Sequence, residues 1–209
     1  MPSLYFTPTS CGAASFIAAK RGGIEWDRTE IVDLATHTLL GSGKDFYSVN
    51  PKGNVPTISL EDGDLLNENV GTLYWIGKNS TKNNLLGEKA TDEFKVVNLL
   101  GYVASEVHKA FGPFFAGPDE EERKKLTQNL NKKLEFVEKE LLEDGKKKFL
   151  VGESFTVADS YLYIVLTWAG YLKLELPEKL KAYRDNIGEL SFVKEAHAAM
   201  SKIAEDAKA

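Results

Sequence analysis

The texture of this 209-residue chain changes once along its length, and that change limits the folds open to it. Up to about residue 80, short apolar runs alternate with helical stretches. An apolar strand is predicted at Leu4 to Phe6, a helix built on small residues from about Gly12 to Gly22, and an alternating strand at Thr29 to Leu34. Two more short runs, Thr57 to Leu60 and Leu65 to Leu66, flank Glu61, Asp62, Gly63 and Asp64, which is the turn chemistry of a β-hairpin. Helical texture returns at Glu68 to Lys78.

From about Leu86 onward no strand pattern stands out. Leu126, Leu130, Leu134, Val137 and Leu141 recur at steps of three or four, which gives one helix an apolar face opposite a Lys- and Glu-rich one. Thr156, followed three residues later by Asp159, forms a capping box ahead of the apolar run Tyr161 to Trp168. The polar stretch Asn79 to Asn84 reads as a linker. The expected fold class is therefore α/β plus all-α: a domain over residues 1–80 and a helical bundle over residues 86–209.

Composition excludes several functions. A net charge of -5 leaves no electrostatic footprint for nucleic acid or for an anionic membrane. No apolar run approaches the roughly 20 residues that cross a bilayer, and no stretch resembles a signal peptide. A single cysteine forms no internal disulfide framework, so a reducing, cytoplasmic setting is expected and the sequon at Asn79, Ser80 and Thr81 is read as chance. Gly41, Ser42, Gly43 and Lys44 imitate a phosphate loop, but Thr38 and Asp45 stand where that motif needs Gly and Ser or Thr. Histidines 37, 108 and 197 lie far apart, so no metal site is expected.

The chemistry gathers at Cys11. It follows the first strand and a turn made by Thr7, Pro8, Thr9 and Ser10, and Gly12 opens the helix behind it. Unpaired N–H groups and the helix dipole at such a position favour the thiolate, so a pKa below the free value of about 8.5 is expected. The alternative is a buried, inert cysteine. The second position of a Cys-x-x-Cys motif holds Ala14, so no internal thiol resolves a mixed disulfide, and an external one such as glutathione must do so. Tyr5 and Ser10 are rival thiolate donors, ranked below Cys11.

The order of the Tyr5-Phe6 strand, the Thr7-to-Cys11 turn, Val49-Asn50-Pro51-Lys52-Gly53-Asn54-Val55-Pro56 and Leu66-Asn67-Glu68-Asn69 resembles the cytosolic glutathione transferases. The cysteine is similar to that of their bacterial-type beta class. Glu106-Val107-His108-Lys109-Ala110-Phe111 resembles that class's histidine-lysine segment, and Phe155 to Asp159 the capping segment of the family's helical domain.

The resemblance implies a thioredoxin-like β-α-β-α-β-β-α first domain, a helical second domain contributing the pocket for the electrophile, and a homodimer. It implies conjugation of glutathione to hydrophobic electrophiles, or glutathione-dependent thiol–disulfide exchange through Cys11, with thioltransferase or peroxidase side activity. Glutathione would be the co-substrate, without metal, and detoxification the setting. Pro56 resembles the family's cis-proline, which presents the Val55 backbone to the cysteinyl part of glutathione. Glu68 and Asn69 would hold its γ-glutamyl end. His108 would be catalytic beside Cys11, with Ser105 and Lys109 among the glutathione contacts. The sequence departs from the class at Gly101, where some members carry asparagine, and at His37 and Thr38, where a lysine is common. A non-catalytic binding or regulatory module on the same fold is the competing reading; Cys11, Glu68 and His108 together favour the enzyme.

Overall fold

The computed structural model describes residues 1–208, which divide into two compact units: Met1–Leu86 together with the segment from Leu190 on, and Gly87–Glu189.

The first unit is built on a mixed five-stranded sheet in the order β3-β2-β1-β4-β5. Its strands are β1 (Ser3–Phe6), β2 (Thr29–Asp33), β3 (Thr38–Leu39), β4 (Thr57–Ser59) and β5 (Leu65–Leu66). β1 runs parallel to β2, with Leu4 opposite Thr29 and Phe6 opposite Ile31, and antiparallel to β4, with Tyr5 opposite Thr57. Every residue of β1 is buried, as a central strand covered on both faces must be. The β4–β5 hairpin closes through the predicted turn, where Gly63 takes a φ of +92°, the left-handed region that costs glycine least.

Helix α1 (Gly12–Gly22) is buried along most of its length, because Ala13, Ala14, Ala18 and Ala19 let it lie close to the sheet and to α2 (Asn69–Asn79). Tyr5, Val32, Leu39, Phe46 and Val55 form a separate apolar cluster. The helix that the resemblance implies between β2 and β4 does not form. The segment makes the two-residue strand β3 and one 3-10 turn at Phe46–Ser48 instead. Glycines 41 and 43 weaken a helix there, and the backbone bonds of Leu39 to Lys44 and of Gly43 to Leu39 close a tight turn, with Gly43 at φ +66°.

The last helix, α8 (Ser191–Asp206), which the sequence groups with the other helices, packs on α1 and β2 of the first unit. Val193, Ala196 and Met200 form its buried stripe, and the Arg21 guanidinium lies 4.6 Å from the centre of the Phe192 ring.

The second unit is helical: α3 (Asp92–Tyr102), α4 (Lys109–Phe111), α5 (Glu120–Phe136), α6 (Val157–Tyr171) and α7 (Glu178–Gly188). The apolar face read on α5 is present, with Leu130 and Leu134 buried, and it continues through Val137 in a π-helical turn at Val137–Leu141. α6 is the core helix, apolar and buried nearly all round. Its capping box forms: the Thr156 N–H and hydroxyl both donate to Asp159 Oδ2, at 2.8 and 2.9 Å. No helix among the described residues is long and apolar enough to cross a membrane.

Candidate active site

Cys11 caps the start of α1 in the first unit. Its Sγ lies 3.5 Å from the carbonyl oxygen of Val55, the residue before a cis peptide bond to Pro56. A carbonyl only accepts, so this contact needs the protonated thiol. The expected low pKa is therefore overturned. Burial pushes the Cys11 thiol up to about 12, and the backbone N–H groups of Cys11 and Gly12 offset only part of that, while the Glu68 carboxylate adds to the rise. Cys11 is 8% exposed, and removing a thiolate from water outweighs what a helix terminus returns.

Of the rival donors, Ser10 commits its one proton to the Thr7 carbonyl at 2.8 Å and its oxygen to the Gly12 N–H at 3.0 Å, so it builds the turn. Tyr5 lies in the apolar cluster against Phe46, and burial raises its phenol pKa.

The loop carrying Val55 is held by Asn50, which the sequence analysis quoted but assigned no role. Asn50 is fully buried. Its amide donates to Asn54 and Thr57, and its Oδ1 accepts from the Lys52 N–H and from Asn67 Nδ2. One side chain thus ties the Val55 loop to the residue just before Glu68. Glu68 is the cap residue of α2, its carboxylate exposed and paired with the Lys52 ammonium. Asn69 is buried. Its Oδ1 accepts from Ser15 at 3.2 Å, and its Nδ2 has no partner among the described residues. His37, at φ +53°, stacks on Tyr47 with ring centres 4.7 Å apart, and its Nδ1 is buried without a partner among the described residues. The first unit so gathers Cys11, Val55, Pro56, Glu68 and Asn69 around the starts of α1 and α2.

The remaining sequence-derived residues belong to the second unit. Ser105 and His108 lie on a π-helical turn, Val103–His108, that continues α3, and exposed Lys109 begins α4. An inserted π turn re-aims the side chains beyond it and often marks functional sites. The His108 ring is half-buried, its Nδ1 is 2.7 Å from the Tyr161 hydroxyl, and burial lowers its pKa. Glu106 pairs with Lys133. Tyr161 was missed as a site residue, and no local signal could have found it, since 53 residues separate it from His108.

A family model described as the glutathione S-transferase C-terminal domain matches residues 102–190. Glutathione S-transferase GstA of Escherichia coli O157:H7 is 34% identical over 94% of this chain and 97% of its own. Among solved structures, a glutathione transferase of Methylococcus capsulatus strain Bath matches with a TM-score of 0.87 at 32% identity, covering 97% of this chain and 100% of that one. A sphingomonad glutathione S-transferase complexed with glutathione matches with a TM-score of 0.85 at 30% identity, covering 95% and 98%. A five-stranded mixed sheet with its cysteine at the start of the first helix, an all-helical second unit, and relatives this similar over nearly their whole length lead to one conclusion: the chain belongs to the glutathione S-transferase family.

Proposed function

We propose that this protein is a glutathione transferase of the beta class that joins glutathione to hydrophobic electrophiles, with Cys11 acting as a protonated hydrogen-bond donor to the glutathione sulfur. The observation that carries the reading is the buried Cys11 thiol beside Val55 at the head of α1, in a chain of this family. A thiol with a pKa near 12 is a donor at neutral pH and only rarely a nucleophile, which favours conjugation over mixed-disulfide exchange.

In this reading the Val55 backbone pairs with the cysteinyl part of glutathione beside Pro56. The first N–H groups of α2 and the Asn69 amide take the γ-glutamyl carboxylate. Glu68 exchanges the Lys52 ammonium for the ligand's own. His108 is the second catalytic residue, Ser105 and Lys109 supply polar contacts to glutathione, and the helical domain carries the apolar electrophile pocket. The glutathione thiol gives its proton to solvent, and its thiolate forms the new carbon–sulfur bond as the leaving group departs with its electron pair. The enzyme works as a cytoplasmic homodimer; beta-class membership is supported by similarity to the beta-class glutathione S-transferase of Sphingomonas chungbukensis, 30% identical with a TM-score of 0.83.

Steady-state conjugation of glutathione to an activated chloronitroarene tests the reading. Wild type is expected to turn over, and Cys11→Ala to lose about tenfold in kcat/KM, the worth of one hydrogen bond to a charged sulfur. Absence of glutathione-dependent turnover in wild type would favour the non-catalytic module.

A further inference from the structure

The Tyr161 hydroxyl on α6 lies 2.7 Å from His108 Nδ1, across 53 residues of sequence. Tyr161 is itself 1% exposed, so its ring is locked in the core of the second unit and cannot follow a moving imidazole. The Trp168 ring also meets His108 edge-on, with centres 4.8 Å apart and planes at 74°. Trp168 is braced in turn by Phe111 and Phe115 at 6.0 and 5.6 Å. The aromatic rings fix the plane of the imidazole. The phenol fixes which way round it sits, because a half-turn about the Cβ–Cγ bond would bring a carbon to the hydroxyl instead of Nδ1.

The direction of the proton in this bond follows from acid–base strength. A phenol is a far stronger acid than a neutral imidazole N–H, and an imidazole nitrogen is a far stronger base than a phenol oxygen. Tyr161 therefore donates and Nδ1 accepts. Neutral imidazole carries one N–H, which this bond confines to Nε2. Nε2 has no hydrogen-bond partner among the described residues. Burial, which lowers the His108 pKa, keeps the ring neutral, so the arrangement holds near neutrality.

We infer that Tyr161 is a positioning residue that holds His108 in its Nε2–H tautomer, so that the N–H it offers as a donor to an anionic ligand is the one at Nε2. The inference rests on the reading that His108 is a catalytic residue, and it adds the group that decides which of its nitrogens donates. A donor at Nε2 suits a thiolate; a bare nitrogen would repel it.

Nitrogen-15 NMR of the histidine rings in the intact protein, assigned with His108→Ala, tests this together with conjugation kinetics on Tyr161→Phe. Wild-type His108 is expected as the single Nε2–H tautomer, and Tyr161→Phe as a mixture. Tyr161→Phe should also lose about five- to tenfold in kcat with little change in the KM for glutathione, and should cost nothing further in a His108→Ala background. A wild-type Nδ1–H tautomer overturns the inference, as does a Tyr161→Phe loss that persists without His108. Should Tyr161→Phe fold poorly, the wild-type tautomer decides alone. Wild-type turnover in His108→Ala also overturns it, yet leaves the glutathione reading of the first unit to be judged separately by Cys11→Ala.

Discussion

Alkylation of Cys11 by iodoacetamide in the ligand-free protein is expected to run about a thousandfold slower at neutral pH than that of an unperturbed cysteine. The reasoning is one of populations. Only the thiolate reacts, and raising the thiol from 9.0 to about 12 reduces the thiolate fraction by about three powers of ten. Low exposure of the sulfur slows it further. The rate should rise about tenfold per pH unit across the alkaline range in which the protein stays folded. This chain has one cysteine, so the label reports on Cys11 alone. Fast alkylation that levels off near neutral pH would show the helix terminus winning over burial.

Asp159→Asn, although nearly isosteric, is expected to cost about 2–3 kcal/mol of stability. Asp159 is fully buried and accepts four hydrogen bonds. Oδ1 takes the Leu150 N–H at 2.8 Å and the Tyr183 hydroxyl at 2.7 Å, while Oδ2 takes the Thr156 N–H and hydroxyl. Each oxygen so holds one backbone N–H. Whichever way an amide turns, its NH2 faces a backbone donor that cannot rotate away. Urea denaturation should show a midpoint lowered by about 1 M or more with an unchanged slope; an unmoved midpoint would mean that the four bonds are not needed. Acid alone should not undo this knot. Burial raises the Asp159 carboxyl above its ordinary value despite its donors, so the folded chain binds that proton more tightly than the unfolded one. The linked stability is fully present below the unfolded pKa and is lost as pH rises through the folded value.

What could be read from the sequence was what nearby residues decide. The β1 strand, the Gly63 turn, helix α1, the apolar face of α5 and the Thr156–Asp159 cap all depend on neighbours within a few positions, and each has a local signature. Where distant parts of the chain meet, the signature is missing. The sequence puts Cys11 at a helix start, which argues for a low pKa; the burial that reverses the argument is a property of the folded chain, in which the thiol meets the Val55 carbonyl from 44 residues away. Asn50 was visible only as part of a motif, because its bonds to Asn54, Thr57 and Asn67 need the folded loop. The helix implied between β2 and β4 failed for a reason that was legible, the glycines at 41 and 43, but the resemblance spoke louder than the composition. The π turn that carries His108 leaves no mark in hydrophobic spacing, since it adds a residue to a helix whose pattern otherwise continues.

The central claim is that glutathione binds in the first unit with its sulfur beside a Cys11 thiol that remains protonated. Ultraviolet titration of thiolate absorbance, on wild type and on Cys11→Ala saturated with glutathione, addresses it most directly, because in the variant glutathione carries the only thiol present. The account predicts a bound glutathione sulfur that ionises well below its free value in wild type and closer to it in Cys11→Ala, with no thiolate signal from ligand-free wild type near neutrality. A neutral-pH thiolate in the ligand-free protein, or identical ionisation of bound glutathione in the two proteins, would contradict it.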